Sequence, residues 1–483
     1  MKKSYLFYDL ETSGLNKSFD QILQFAAIRT DDKFNELERY DFLIKLRPDI
    51  IPSPGAIITH RIGISKTLNE GVTEYEAIKK IHKIINEPGT ISIGYNNLGF
   101  DDEFLRFSFY RNLLDPYTHQ YLNNCKRIDL LPIATVFRLF RKDIIQWPEI
   151  NGAPTLRLEY ISSVNNLAEG QAHNALVDVI ATVELAKRLK ADIKLWDYLE
   201  NSFDKKIEHE RIEKFSNAFP NSFTAQKFAI MINSKFGYKL NYAAPVLLLG
   251  ESEKYKSQLW LRLDLEELSN VNSNSISENT FVIRKNNGGA EVLFPSYEKT
   301  NVLISSDRLK ITSSNLKFLS SKENLLNEII NFHRKFEYPE IKNVDIDAKL
   351  YSRGFWSKSE KEEILNFNNL DWVGKVRAIK QTNNLDLKEL FFRILYRNRK
   401  KIAESDFHDL SIKFYNKINP TSVDSPMIDF KGELKMVPQT ALREIENIVA
   451  TRDLDDEQKQ LLKELKEYIE KEFPENESQF EMF

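Results

Sequence analysis

The chain has 483 residues, of which 42% are hydrophobic and 29% charged; this balance supports packed cores, excludes a disordered or collagen-like protein, and predicts two to four domains at roughly 100–200 residues each. The net charge of −3 excludes a strongly basic coat, so a polyanionic partner would have to meet local basic patches. The single cysteine, Cys125, excludes a disulfide framework and a multi-cysteine metal site.

The start of the chain predicts a buried strand rather than a signal peptide. Its apolar run, residues 5–8, is interrupted by Asp9 and Glu11 before a signal-peptide core forms. No apolar run approaches the roughly 18 residues that a membrane-spanning helix needs. We therefore expect a cytoplasmic protein that has no membrane partner.

The first part of the chain, residues 4–190, alternates strand-like and helix-like segments, which predicts an α/β domain. Apolar residues at helical spacing predict one face of a helix over 74–85, and Asn174 is a plausible N-cap for a helix over 175–189. The predicted strands and the remaining helix cover residues 5–8, 22–30, 40–46, 91–95 and, for the helix, 101–112.

The pattern changes after about residue 200. Leucines at every second position of 259–265 predict a half-buried strand. Further short strands are predicted at 281–284, 291–294 and 301–304, with turn residues at 286–289. The middle third of the chain is therefore expected to be β-rich.

From about residue 348 the sequence predicts helices. An apolar stripe runs along a charged helix near the end of the chain and comprises Leu461, Leu462, Leu465, Ile469 and Phe473. The stretch 375–401 is basic and aromatic, a combination that suits single-stranded nucleic acid. Taken alone, an ordinary amphipathic helix with a basic outer face is the simpler interpretation.

The first candidate motif is an acidic pair at the end of the first strand. Asp9 and Glu11 are two positions apart, so both carboxylates point to the same face. Neighbouring carboxylates repel each other unless a cation neutralises them, and oxygen ligands favour Mg²⁺ or Mn²⁺. Acidic pairs are common at strand ends, so this motif needs support from elsewhere in the chain.

A second acidic group follows a later strand. The turn at 94–100 leads into a helix that begins Asp101-Asp102-Glu103. Acids at a helix N-terminus are stabilised by the helix dipole, which is the structural interpretation. In the functional interpretation, Asp101 faces the acidic pair and supplies a third carboxylate.

The third motif joins a histidine to an aspartate five positions later. On one helix, His173 and Asp178 would point about 140° apart. They can converge if Asp178 lies on the helix and His173 on the loop before it. Only seven histidines occur in the chain, and this one stands at a predicted loop–helix junction.

The order of these motifs resembles the Asp-Glu-Asp-Asp 3′→5′ exonuclease superfamily, in its histidine-bearing branch. Further segments are similar to the bacterial exodeoxyribonuclease I family. The similarity is strongest in the first 180 residues and continues weakly through 343–351. The segments with the closest similarity are 24–31, 51–56, 94–103, 109–117 and 156–159.

The resemblance implies a multidomain α/β fold. An RNase H-like nuclease domain would occupy residues 1–192, a β-rich domain with an SH3-like barrel 193–347, and a helical C-terminal domain 348–483. The implied activity is 3′→5′ degradation of single-stranded DNA to 5′-mononucleotides by two-metal hydrolysis, in DNA repair and recombination.

The resemblance also implies the roles of the motif residues. Asp9, Glu11, Asp101 and Asp178 would bind two Mg²⁺ ions, for which Mn²⁺ can substitute. His173 would be the general base that takes a proton from the attacking water. Glu11 would also approach the terminal 3′-hydroxyl.

Four further residues fall at positions where the family contacts DNA. Arg157 would grip a phosphate; the alternative is an ion pair with Glu159 or another acid. Arg106, Tyr117 and Tyr121 would contact the strand, and Tyr121 replaces a larger aromatic residue.

Single-stranded DNA is the expected partner of a chain that we expect to be a monomer. The family also binds the C-terminal tail of single-stranded-DNA-binding protein, and Arg141 and Tyr198 are candidates for that contact.

Two alternative functions stay open. An RNA 3′-end-trimming exonuclease would share the catalytic motif, which does not distinguish sugars, but the extra domains argue against it. A non-catalytic DNA-binding scaffold is disfavoured because all five catalytic side chains are present.

Overall fold

The computed structural model describes residues 3–170, 174–219, 226–401, 407–420 and 427–474. Two five-stranded sheets and a series of helices account for most of this chain. Within those ranges, no helix combines the length and apolarity needed to cross a membrane.

The first sheet confirms the predicted α/β character of the N-terminal part. Its strand order is β3-β2-β1-β4-β5. Strands β1, β2 and β3 are antiparallel, whereas β4 and β5 run parallel to β1. The strands are β1 (Ser4–Thr12), β2 (Ile22–Thr30), β3 (Glu36–Leu43), β4 (Thr90–Gly94) and β5 (Lys126–Asp129).

Helices cover both faces of this sheet. They are α1 (Pro54–His60), α2 (Ile64–Glu70), α3 (Glu74–Ile85), α4 (Asp101–Arg111), α5 (Leu130–Phe140), α6 (Leu158–Asn165) and α7 (Ala175–Leu189). A small ribbon of β6 (Glu149–Ile150) and β7 (Ala153–Pro154) precedes α6.

The alternation of side chains along β1 decides which helix each residue faces. Phe7 packs in one core with Val179 of α7, whereas Leu6 and Leu10 pack in another with residues of α3 and α4. Side chains at odd positions of β1 therefore face α7. The predicted cap of α7 is present, since the Asn174 side chain accepts from the backbone N–H groups of the first turn.

The second sheet is open. Its strand order is β11-β10-β9-β8-β12, and in the part of the chain that the structure describes the edge strands β11 and β12 do not pair with each other. The expected SH3-like barrel is therefore not confirmed. The strands are β8 (Phe228–Ile232), β9 (Ala243–Glu251), β10 (Gln258–Arg262), β11 (Val282–Lys285) and β12 (Val292–Pro295).

Strand β10 is buried on both faces, so the prediction of a half-buried strand was wrong. Leu259 and Leu261 belong to one hydrophobic cluster and Trp260 to another, and none of the three is exposed. Alternate side chains of this strand therefore face two different hydrophobic cores, and neither set faces solvent.

The middle region is also more helical than predicted. Its helices are α8 (Ile193–Glu200), α9 (Lys205–Glu213), α10 (Ile276–Asn279), α11 (Glu298–Asn301), α12 (Ser306–Ser321) and α13 (Glu323–Lys335). The strand predicted at 301–304 is wrong. The Thr300 hydroxyl accepts from the N–H of Tyr297 in a capping box, and the chain forms the short helix α11 instead.

The final region is helical, as predicted. Its helices are α14 (Lys358–Asn369), α15 (Trp372–Gln381), α16 (Leu385–Arg397), α17 (His408–Ile418), α18 (Pro438–Thr451) and α19 (Asp456–Glu472). The apolar stripe of α19 is buried, and it shares one hydrophobic cluster with residues of α1 and α4. The first and last parts of the chain thus have a common core.

The basic stretch 375–401 contributes largely to this interior. Its aromatic residues Phe391 and Phe392 lie in the shared core. Arg397 is buried against Asp49, with Nη2 2.9 Å from Oδ2, and also pairs with Asp347. These side chains bind other parts of the chain and do not form a nucleic-acid-binding face.

Candidate active site

The acidic pair of β1 points toward the N-terminus of α7. Asp9 and Glu11 stand opposite Ala26 and Gln24 in the β1–β2 pairing, so both lie on the face that α7 covers. Asp178 lies in the first turn of α7. One carboxylate oxygen from each of Asp9, Glu11 and Asp178 lies within 4.8 Å of the other two. The structure thus brings together three of the four predicted carboxylates.

Asp101 lies beside this group at the start of α4. The backbone N–H groups of Asp101 itself and of Leu10, the residue between Asp9 and Glu11, lower the pKa of its carboxyl, against the larger effect of burial. Asp101 is not one of the three residues whose oxygens fall within 4.8 Å. Its charge nevertheless raises the pKa of both Asp9 and Glu11.

The cluster is electrostatically unfavourable by itself. Burial, followed by the charges of Asp101, Glu11 and Asp178, raises the pKa of Asp9 well above its ordinary value. Burial and the same neighbours raise the pKa of Glu11 to about 9, and burial raises that of Asp101 to about 8. Carboxylates that repel in this way are stabilised by a divalent cation, and their oxygens are the ligands that such cations prefer.

Asp129 at the end of β5 holds the turn that carries Asp101. Its Oδ1 accepts from the N–H groups of Asn96 at 2.8 Å and Leu131 at 3.0 Å, and its Oδ2 accepts from Leu98 at 3.3 Å. Burial raises the pKa of Asp129 to about 6. The sequence analysis missed this residue; its place as the N-cap of α5 was the signal that could have identified it.

The carboxylate of Asp102, the residue after Asp101, also has several partners. Its carboxylate pairs with Arg106, Arg127 and the Nε2 atom of His119. Burial works against ionisation, yet the two arginines keep the pKa of Asp102 well below its ordinary value. The spacing of four residues between Asp102 and Arg106 indicates their pairing, but nothing local in the sequence indicates the other two partners.

His173 lies outside the described residues, so its predicted role stays a prediction. Arg157 immediately precedes α6, and 72% of its side chain is exposed. Its Nη1 lies 3.7 Å from Oε1 of Glu159, which is a long ion pair. The Tyr95 hydroxyl at the end of β4 donates to the carbonyl of Leu156 and thereby ties this segment to the sheet.

The remaining predicted DNA contacts differ in exposure. Arg106 is largely buried in its ion pairs, and its guanidinium carbon lies 5.7 Å from the centre of the Tyr117 ring. Tyr117 meets the exposed ring of Phe355 edge-on at 5.8 Å. Tyr121 is 64% exposed.

The two candidates for a protein partner lie on adjoining helices. Arg141 follows α5 and pairs with Asp143 at 3.1 Å and with Asp192. Tyr198 of α8 stacks on Phe294 at 5.2 Å between ring centres. Arg141 is thus more accessible than the tyrosine, whose ring is largely packed.

Comparison with known proteins finds similarity to exonucleases in the part of the chain that contains this site. Residues 6–186 match the RNase_T family, described as Exonuclease. Exodeoxyribonuclease I of Escherichia coli K12 is 29% identical over 381 residues, which cover 74% of this chain and 78% of that protein. Exodeoxyribonuclease I of Buchnera aphidicola subsp. Schizaphis graminum is 42% identical over 219 residues, which cover 44% of this chain and 45% of that protein.

Solved structures have the same fold over nearly the whole chain. The zinc-bound form of the E. coli exonuclease I complex with single-stranded DNA has a TM-score of 0.82 at 23% identity, covering 98% of this chain and all of that one. A structure of SSB and exonuclease I with the inhibitor CFAM has a TM-score of 0.79 at 24% identity and covers the same 98% of this chain.

Proposed function

Because this chain is a homologue of the bacterial exodeoxyribonucleases I, we propose that it degrades single-stranded DNA from the 3′ end and releases 5′-mononucleotides in a metal-dependent reaction. The observation that carries this proposal is the cluster of Asp9, Glu11 and Asp178, whose oxygens converge within 4.8 Å. Such a cluster suits phosphodiester hydrolysis, in which negative charge builds on the phosphate and the leaving oxygen.

Asp9, Glu11 and Asp178 would bind the divalent ions, with Asp101 completing the acidic ring. The raised pKa values of Asp9, Glu11 and Asp101 support this assignment, because these carboxyls are stable as anions only beside a cation. Two Mg²⁺ ions, or Mn²⁺ in their place, would stabilise the charge on the scissile phosphate and on the leaving 3′-oxygen.

The other catalytic roles fall to residues around this ring. His173, just before the Asn174 cap of α7, would take the proton from the attacking water, since the ordinary histidine pKa near 6.5 suits a general base. Glu11 would approach the terminal 3′-hydroxyl. Arg157, mostly exposed and tied to β4 through its neighbour, would grip a substrate phosphate.

The strand upstream of the cleaved bond would pass over three aromatic rings. Tyr121 and Phe355 are exposed and Tyr117 is half-buried, and their rings offer faces on which bases can stack, each worth about 1–3 kcal/mol. Arg106 would pack against the Tyr117 ring and would not bind phosphate, because its guanidinium is already paired with Asp102.

We propose a division into a nuclease domain (1–192), a middle domain related to SH3-like barrels (193–347) and a helical C-terminal domain (348–483). The last two would enclose the strand above the nuclease face. A monomer that acts in the cytoplasm, in DNA repair and recombination, fits this proposal. The acidic tail of single-stranded-DNA-binding protein is its proposed protein partner, with Arg141 and Tyr198 as contacts.

The decisive experiment is digestion of 5′-labelled single-stranded DNA with Mg²⁺ added or withheld. A ladder that shortens from the 3′ end, with mononucleotide release, supports the proposal. Activity that persists in EDTA contradicts the metal mechanism. Faster digestion of a matched RNA oligonucleotide would favour the RNA-trimming alternative, and binding of DNA without cleavage would favour the scaffold.

A further inference from the structure

A buried carboxylate outside the acidic cluster lies directly beside it. Asp102 follows Asp101 in α4 and is only 1% exposed. Its Oδ1 accepts from His119 Nε2 at 2.8 Å, and its Oδ2 accepts from Arg127 and forms an ion pair with Arg106 Nη2 at 2.8 Å. Because a carboxylate only accepts, Nε2 of His119 is the nitrogen that carries the proton.

The three partners of Asp102 belong to three segments of the chain near the start of α4. Arg127 lies on β5, Arg106 lies one turn further along α4, and His119 lies in the turn at 118–120. His119 is fully buried and packs edge-on against Phe109, with ring centres 5.8 Å apart. Asp102 therefore connects the first turn of α4 to strand β5 and to the segment 118–120.

These contacts also fix the neighbouring residue. Successive side chains on a helix point about 100° apart, so a fixed direction for Asp102 sets the direction of Asp101. The Asp101 carboxylate then lies beside the backbone of Leu10, between Asp9 and Glu11. Asp129, at the end of strand β5, also holds the turn that precedes Asp101.

We propose that Asp102 is a positioning residue of the nuclease: held by Arg106, Arg127 and His119, it orients Asp101 toward the metal-binding carboxylates. The proposal rests on the proposed function, since it gives Asp101 a part in the metal site.

The test compares Asp102→Asn with the wild-type protein. Mn²⁺ binding is measured by electron paramagnetic resonance without substrate, and kcat and KM are measured with single-stranded DNA. Loss of an outer partner of a metal ligand weakens metal affinity or activity by roughly 10–100-fold. We expect a loss of that size in Mn²⁺ affinity and in kcat, with KM for DNA nearly unchanged.

Variants of His119 and His82 distinguish a positioning role of the His119–Asp102 contact from a role in packing alone. His119→Ala removes the donor to Asp102, His119→Gln keeps an N–H donor, and His82→Ala is the matched control. His82 packs edge-on against the same Phe109 ring, at 4.7 Å, but bonds the carbonyl of Asp115 instead of Asp102. We expect weaker Mn²⁺ binding in His119→Ala, partial recovery in His119→Gln and no change in His82→Ala.

Two results would overturn the proposal. One is a folded Asp102→Asn protein whose Mn²⁺ affinity and kcat equal those of the wild type. The other is equal weakening in His119→Ala and His82→Ala, which also decides the matter if Asp102→Asn fails to fold. Mn²⁺ binding is measured without turnover, so a wild-type protein that binds Mn²⁺ but cleaves nothing would refute the nuclease function and leave the positioning test intact.

Discussion

The side-chain amide of Asn16 donates to the Asp429 carboxylate at 3.1 Å, although 413 residues separate the two in the chain. The backbone N–H of Asn16 donates to Asp20 Oδ2 at 2.8 Å and so shapes the loop that follows Glu11. Asp429 in turn accepts from the N–H of Lys431 at 2.8 Å. A loop near the end of the chain therefore braces the end of the strand that carries the acidic pair.

Removal of one partner of a buried ion pair between these two parts of the chain is expected to destabilise the fold. Arg397→Met removes a cation shared by Asp49 and Asp347, both almost fully buried, and should lower the free energy of unfolding by about 3–5 kcal/mol. Urea denaturation measures the change. Lys401→Met is the control, because its pair with Glu76 is largely exposed and should contribute about 0–1 kcal/mol. Equal effects of both changes would contradict the prediction.

Removal of a proposed metal ligand should abolish catalysis and leave DNA binding. Asp9→Ala and Asp178→Ala are expected to stop mononucleotide release, while fluorescence anisotropy with a labelled oligonucleotide stays near the wild-type affinity. Asp307→Ala is the matched control, since this aspartate is an exposed member of a surface pair with Lys310. Appreciable turnover in either site variant would remove that residue from the metal site.

His173→Ala should lower kcat by roughly 10²–10⁴, the usual contribution of a positioned base. The variant should also lose the acidic limb of the pH–rate profile near the histidine pKa of about 6.5. Initial rates between pH 5.5 and 8.5 measure both effects. A profile that keeps its acidic limb would assign the base to another group.

Metal affinity should rise with pH. Without metal, the pKa of Glu11 is raised to about 9 and that of Asp101 to about 8, so both carboxyls hold protons at neutral pH. A divalent ion must displace these protons, so apparent Mn²⁺ affinity should increase from pH 6 to pH 9 with measurable proton release. Calorimetry in two buffers of different ionisation enthalpy measures that release. Affinity independent of pH would contradict the raised pKa values.

The same groups make the metal-free fold less stable as pH rises. Between the ordinary glutamate pKa and about 9, the unfolded chain releases the Glu11 proton and the folded chain retains it, so stability falls across this window. Thermal unfolding in EDTA should therefore give a lower midpoint at pH 8.5 than at pH 6. Glu11→Gln should reduce that difference, because it removes the titrating group.

Arg157→Ala should raise KM for single-stranded DNA more than it lowers kcat. The side chain is 72% exposed and only loosely paired, so its proposed contact is with substrate in both the bound and the transition state. Steady-state kinetics on an oligonucleotide of fixed length separate the two parameters. An unchanged KM would favour the alternative in which Arg157 serves only its pair with Glu159.

Local periodicity predicted much of the first sheet. The strand at 22–30 and the helices at 74–85 and 175–189 have the predicted bounds, because each presents one clear apolar pattern. The third strand was placed too late, at 40–46 instead of Glu36–Leu43. Its first half is an exposed sheet edge rich in charged residues, which gives no apolar signal.

The candidate site was predictable only where it depends on spacing. Asp9 and Glu11 share a face by strand geometry, and Asp178 follows from the start of a helix. The contacts of Asp102 with Arg127 and His119, and those of Asp129 with the turn before Asp101, depend on which segments become neighbours, and no local pattern in the sequence indicates them. The helix at 298–301 was missed because a threonine hydroxyl, rather than periodicity, closes its first turn.

The core shared by α1, α4 and the last helices constrains how the protein is made. A ribosome releases the residues of the first sheet long before it synthesises α19, whose Glu457 pairs with Arg61 and whose Glu464 accepts from the N–H of Ser65. Domains that fold as units can do so during synthesis, at about 5–20 residues per second. Here the N-terminal part reaches its final packing only after α19 has been synthesised, so a nascent chain that stalls before α19 exposes an apolar surface that chaperones or proteases can bind.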